Sequence, residues 1–233
     1  MAYASLTEAP RNVKEGIDWL IALKGDDAGR NLTSMGLAIY NLLTHKPVGN
    51  LNKPAPEKVE EGSEEVEGQS GQESVQSLRE MSTRALAENL AKLSNNERLA
   101  VRIIALKLSH VILACQQFLD DVKDGDRYVS AYGPEATWDV SCAENPEECV
   151  SVFVDVAPML HGGLKALRKA SDGKILGIPS AEDTERVQEI MKAFGYNESE
   201  ERAEMTATHV SEALRGVKKI FGTLHDIAIL CAL

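Results

Sequence analysis

Between Glu97 and Lys123 apolar residues fall on most sides of a helical projection, and no segment of the chain alternates convincingly at period two. Leu99, Ile103, Leu106, His110, Leu113, Gln117 and Asp120 map one flank of that helix. Val101, Ile104, Leu108, Val111, Ile112, Cys115, Phe118 and Leu119 cover the others. A helix apolar over most of its circumference belongs in the centre of a bundle. Ser94-Asn95-Asn96-Glu97 starts it and Asp124-Gly125-Asp126 breaks it. The expectation is an all-α fold, an irregular multi-helix bundle of about seven to nine helices with a disordered acidic insertion.

The remaining helices follow the same periodicity. Ala9 to Gly25 reads as a complete amphipathic helix, with Pro10 near its first turn and Gly25 as its stop. Val13, Ile17, Leu20 and Ile21 form its core stripe. Ala28 to Thr44 gives a second helix through Leu32, Met35, Ile39, Leu42 and Leu43, ended by Lys46-Pro47-Val48-Gly49. Residues 73–93 carry the pattern again through Val75, Leu78, Met81, Leu86 and Leu90. A loop through Tyr128 and Tyr132 precedes a short helix around Pro134 to Val140 that carries Trp138. Pro146 opens a long helix, which Pro158 should kink. Lys165, Arg168 and Lys169 suit the negative end of its dipole. Ser180 with Asp183 resembles an acidic capping box, leading to Phe194 and a stop at Gly195. A last helix is expected from Thr206 to the C-terminus.

Composition changes abruptly at residues 50–72. Pro54, Pro56, Gly62, Gly68 and Gly71 are mixed there with Glu57, Glu60, Glu61, Glu64, Glu65 and Glu67. Such a stretch cannot offset its ordering entropy by burial, so it is expected to be a disordered linker. Residues 1–49 form a helical pair that packs with the main bundle, 73–233, as one domain. The formal charge of −11 argues against a nucleic-acid surface, which needs clustered Lys and Arg. No basic leader precedes an apolar run at the N-terminus, and no stretch of about 18 uncharged apolar residues is present. No signal peptide and no integral membrane segment are therefore expected.

Of four cysteines, Cys115 and Cys231 lie inside apolar helical patterns and read as buried thiols. Cys142 and Cys149 bracket a short loop, Ala-Glu-Asn-Pro-Glu-Glu, and form a possible disulfide in an oxidising compartment. Without a secretory signal the pair can equally stand as two free thiols, which is the favoured state. No second Cys or His pair lies at zinc-ligand spacing.

Catalytic signals fail one by one. Gly25-Asp26-Asp27-Ala28-Gly29 lacks the lysine of a phosphate loop, and no His-Glu-x-x-His helix is present. Gly68-Gln69-Ser70-Gly71 lacks the strand and helix of a nucleophile elbow. In a calcium-loop alignment of Asp120 to Asp126, Val122 and Ala131 fall where acidic ligands are required. The five histidines are dispersed, although His110 and His161 could meet in space. Asn31-Leu32-Thr33 and Asn197-Glu198-Ser199 are formal glycosylation sequons of little weight. No catalytic, cofactor-binding or metal-binding residue is assigned, and no enzyme is expected.

Pro10-x-Asn12-x-Lys14-Glu15-Gly16-Ile17-Asp18-Trp19-Leu20 resembles the N-terminal motif of the variant erythrocyte surface antigens of Babesia and related piroplasm parasites. A set of uncharacterised paralogous proteins from those parasites is similar over more of the chain. That likeness takes in Leu42 to Gly49, Glu135-Ala136-Thr137-Trp138-Asp139-Val140-Ser141-Cys142-Ala143 and Ala157-Pro158-Met159-Leu160. The resemblance implies a helical protein exported to the infected red cell, antigenic, acting through protein–protein contacts and without known catalysis. Those surface antigens are longer and carry a C-terminal membrane span. The contrasting reading is a soluble intracellular helical scaffold.

Overall fold

The computed structural model describes residues 2–45, 71–172, 180–197, 199–202 and 205–232, with the side chains of 45, 71–78 and 227–232 left aside. Among these lie nine α-helices: α1 (Val13–Lys24), α2 (Ala28–His45), α3 (Gly71–Lys92), α4 (Asn95–Val122), α5 (Trp138–Ser141), α6 (Pro146–Ser171), α7 (Ala181–Ala193), α8 (Ala207–Val217) and α9 (Phe221–Ala232). Extended pairing among the described residues is limited to two isolated bridges, Tyr3 with Tyr132 and Lys123 with Glu201. The fold is all-α, as the periodicity implies. Of the stretch expected to be disordered, residues 50–70 lie outside the described set, whereas Gly71 and Gln72 already belong to α3.

The bundle is centred differently from expectation. Val13, Ile17, Trp19, Leu20 and Leu23 of α1 are all buried, so this helix is covered on most sides, beyond the stripe its periodicity marks. Trp19 stacks on Phe153 of α6 at a ring separation of 6.2 Å. Fully burying side chains of this kind contributes roughly 1.5–3 kcal/mol each. The longest helix, α4, buries Val101, Leu108, Val111, Ile112, Cys115, Phe118, Leu119 and Val122 but leaves its other flank in solvent. It forms a wall of the bundle, with α1, α2 and α8 against its inner side.

Local signals set most helix ends. Asn12 caps α1 by accepting from the Glu15 amide, so the helix begins at Val13 and Pro10 lies ahead of it. Gly25 ends α1 at φ +51°, a left-handed angle that favours glycine. Ser94 with Glu97 and Ser180 with Asp183 form reciprocal capping boxes at the starts of α4 and α7. The short helix α5 begins only at Trp138, after Pro134. α6 starts at Pro146 and runs on through Pro158, whose side chain faces solvent. The expected last helix is two: a 3-10 turn at Lys218–Ile220 separates α8 from α9, which lies along α6. At Gly36 of α2 an added Cβ would sit 3.0 Å from the Val101 carbonyl oxygen, so the absence of a side chain sets how closely α2 and α4 approach.

Candidate interaction face

The first helix, α1, acts as a clamp. Lys14 of α1 donates to the Val129 carbonyl at 3.0 Å and to Glu200 Oε1 at 3.1 Å, and its ammonium lies 4.8 Å from the centre of the Tyr128 ring. Asp18, one turn further, accepts from the Tyr128 hydroxyl at 2.6 Å and the Ala131 amide at 2.8 Å. Trp19 Nε1 donates to the Leu6 carbonyl, and Glu15 accepts from Tyr3 and the Arg11 amide. One helix therefore holds the N-terminal segment, the loop after α4 and the approach to α8. Burial of Asp18 raises its pKa, the dominant effect despite its two donors. Burial works the same way on Glu200, but the Lys14 ammonium and backbone donors outweigh it and hold that carboxyl below its usual range. Tyr128 is pushed far up, by burial first and by the Asp18 charge next. These groups hold one another.

The segment 120–126 does not form a calcium loop. α4 stops at Val122, and the Asp124 amide and Val122 carbonyl pair with Glu200 and Arg202 across the gap. Further on, Cys142 and Cys149 are paired as a disulfide with Cα atoms 5.9 Å apart, one of the two states left open by the sequence. It braces the corner between α5 and α6, where the Ser141 hydroxyl also receives the Leu6 amide. Cys115 is a buried thiol whose pKa burial pushes up to about 12, which disfavours the thiolate. The Cys231 side chain lies outside the described set.

A cleft of about 450 Å³ opens between the start of α2, α3 and residues 130–139. Four of its charged groups, Asp27, Arg30, Arg79 and Asp139, are mutually engaged. Arg30 Nη2 donates to Asp139 at 2.7 Å and to Asn31 at 3.0 Å, and Arg30 Nη1 donates to the Arg79 carbonyl. Arg79 donates to Asp27, and that hydrogen bond, with the Arg30 amide, holds the Asp27 carboxyl below its usual range. This network fastens α3 and α5 to α2. Asn31 is buried with its amide donating to the Lys24 carbonyl, so the first sequon is a packing element.

The histidines are not arranged as read from sequence. His161 of α6 faces His225 of α9 at 5.2 Å between rings, and His110 stands exposed on α4. Burial, with the His225 and Lys165 charges, pushes the His161 pKa down. Among the described residues no group of three or more His, Cys, Asp or Glu side chains converges as metal ligands would.

Among the described residues, the outer flank of α4 carries a row of exposed apolar side chains. Leu99, Ile103, Leu106 and Leu113 are 56, 45, 58 and 46% exposed. With His110, Gln117 and Asp120, all exposed, they recur at alternating steps of four and three residues. That is the spacing of a coiled-coil seam, running about 30 Å along the helix. Charges are sorted along it: Arg98, Arg102 and Lys107 border its first half, and Asp120 and Asp121 its end. Arg98 donates to the Leu90 and Ala91 carbonyls, whereas Arg102 and Lys107 point to solvent. By length and composition alone α4 and α6 could each cross a membrane, a test that core helices also pass; 33% and 44% of their most apolar windows are buried here.

Periodicity alone registered this flank but placed it inside the bundle. The Lys14–Asp18–Glu200 clamp was missed altogether. The available signal was a pair of opposite charges, Lys14 and Asp18, one turn apart on α1. No family model, no curated protein and no solved structure matches this chain.

Proposed function

We propose that this chain is a non-enzymatic helical protein of the erythrocyte-surface-antigen type, acting at the host–parasite interface by protein–protein contact through the outer flank of α4. The observation that carries this reading is the row Leu99, Ile103, Leu106 and Leu113, exposed at seam spacing on a 28-residue helix. Contiguous apolar patches of this kind mark interaction sites, and a heptad-spaced row is shaped to receive the apolar face of another helix. The buried charges of the clamp and of the Arg30 network are occupied within the fold, which supports a non-catalytic role. The Cys142–Cys149 disulfide supports residence in an oxidising compartment, as surface exposure requires.

The test is binding of the fluorescently labelled full chain to intact erythrocytes, measured by flow cytometry with the Leu106→Glu variant in parallel. Saturable binding lost in the variant is the expected result. No binding, or equal binding by both proteins, overturns the reading. Surface labelling of intact infected cells addresses location: failure to label, with control surface proteins labelling, removes the host–parasite assignment.

A further inference from the structure

We infer that the helix received by the α4 flank is α4 of a second copy of this chain, docked antiparallel across a two-fold axis near His110. The inference rests on the protein-contact reading above: the flank joins two copies, and it is the pair that meets the host cell, so Leu106→Glu is expected to lose both.

Charge selects both the partner and the direction. Arg102 borders the seam toward the start of α4, and Asp120 occupies a seam position toward its end, both exposed. In a parallel pair Arg102, on one edge, would face the opposite edge of the other copy, where Lys107 stands, and Asp120, at a seam position, would face Asp120, a like-charge repulsion at both ends. Antiparallel docking about the seam's midpoint brings Arg102 of each copy within a turn of the level of Asp120 of the other. It also places Leu106 beside Leu113. A C2 contact is isologous, so every such pair forms twice. Asp120 is held meanwhile by Lys123 at 2.6 Å, an exposed i,i+3 pair that contributes little alone and can share its carboxylate.

The seam also has the composition of a specified contact. Its apolar members lie between Leu99 and Leu113, while Gln117 and Asp120 continue the same spacing with polar side chains. Polar residues at seam positions set register and orientation at some cost in stability. An orientation that superposed the two polar ends would leave them unmatched. The antiparallel one lays each polar end toward the other copy's basic half.

The experiment is sedimentation velocity on the full oxidised chain from about 1 to 200 µM, with circular dichroism of each variant as a control for folding. A species of twice 25.4 kDa is expected at the upper concentrations. Leu106→Glu should leave only the monomer with its helical signal intact. Arg102→Asp should weaken the dimer about tenfold or more, and adding Asp120→Arg should restore it.

A monomer at every concentration overturns the inference. So does a dimer indifferent to Leu106→Glu, and a charge swap that fails to restore association overturns the antiparallel arrangement. Flotation with phosphatidylcholine–phosphatidylserine vesicles tests a lipid occupant: a monomer that floats, and ceases to float as Leu106→Glu, also overturns it. A monomer that still binds erythrocytes through Leu106 refutes the second copy alone. A dimer that binds no erythrocytes refutes the host-contact reading and keeps the inference.

Discussion

Lys14 and Glu200, 186 positions apart in the chain, meet at 3.1 Å with both side chains about nine-tenths buried. The contact ties the central helix α1 to the segment between α7 and α8, and the loop carrying Tyr128 and Val129 folds over it. Removing one partner of a buried pair strands the other charge, so Lys14→Met should destabilise the fold by about 3–5 kcal/mol in urea unfolding at pH 7.

The same pair sets an acid dependence. The folded-state pKa of Glu200 lies below its usual value, so its ionised form contributes stability above the ordinary carboxylate range. That contribution is lost as pH falls through the ordinary range toward the lowered pKa. Asp18, raised chiefly by burial, acts with the opposite sign, because its ionised form is a cost that acidification relieves. The destabilisation caused by Glu200→Gln, read from thermal midpoints between about pH 7 and pH 3, should therefore shrink toward acid. A constant difference across that range would show that folding leaves the Glu200 pKa unchanged, and one that grows toward acid would show it raised.

Cys142 and Cys149 close a loop of sequence separation seven. By the loop-entropy relation a closure this short is worth about 2–3 kcal/mol. The double variant Cys142→Ala, Cys149→Ala should lose that much in denaturant unfolding under oxidising conditions, and should match the wild type only after the latter is unfolded and reduced.

Trp19→Phe keeps an aromatic ring in the core but removes the donor to the Leu6 carbonyl. A cost of about 1–3 kcal/mol is expected, the carbonyl being left without its buried partner. The distinguishing measurement is hydrogen exchange, in which residues 2–11 should lose protection more than α6 does.

Gly36→Val places a branched side chain where a Cβ already comes within 3.0 Å of backbone on α4. Overpacking of this kind costs about 1–3 kcal/mol. Differential calorimetry should show a lowered midpoint, whereas Gly29→Ala, at a position with open space around it, should be neutral or slightly stabilising.

Sequence by itself determined the local half of this protein. The all-α class, the capping boxes at Ser94 and Ser180, the stop at Gly25 and the proline start at Pro146 depend on residues within four positions of one another. Such signals act before any tertiary contact forms, which is why periodicity and cap chemistry find them. The end of α1 was legible for that reason, and its start was displaced from Pro10 only by the Asn12 cap.

Tertiary structure alone decided which apolar surface is covered. Leu106 and Leu108 are both apolar members of one helix, yet the first faces solvent and the second is buried. Their difference lies in where α1, α2 and α8 dock, a matter of pairwise packing over long sequence separations that periodicity does not encode. The same holds for Lys14 and Asp18, whose charges are tolerated inside the bundle only because Glu200, Tyr128 and Ala131 arrive from elsewhere in the chain. A helical wheel shows how much of α4 could be buried, and the number of helices that pack on it settles how much is.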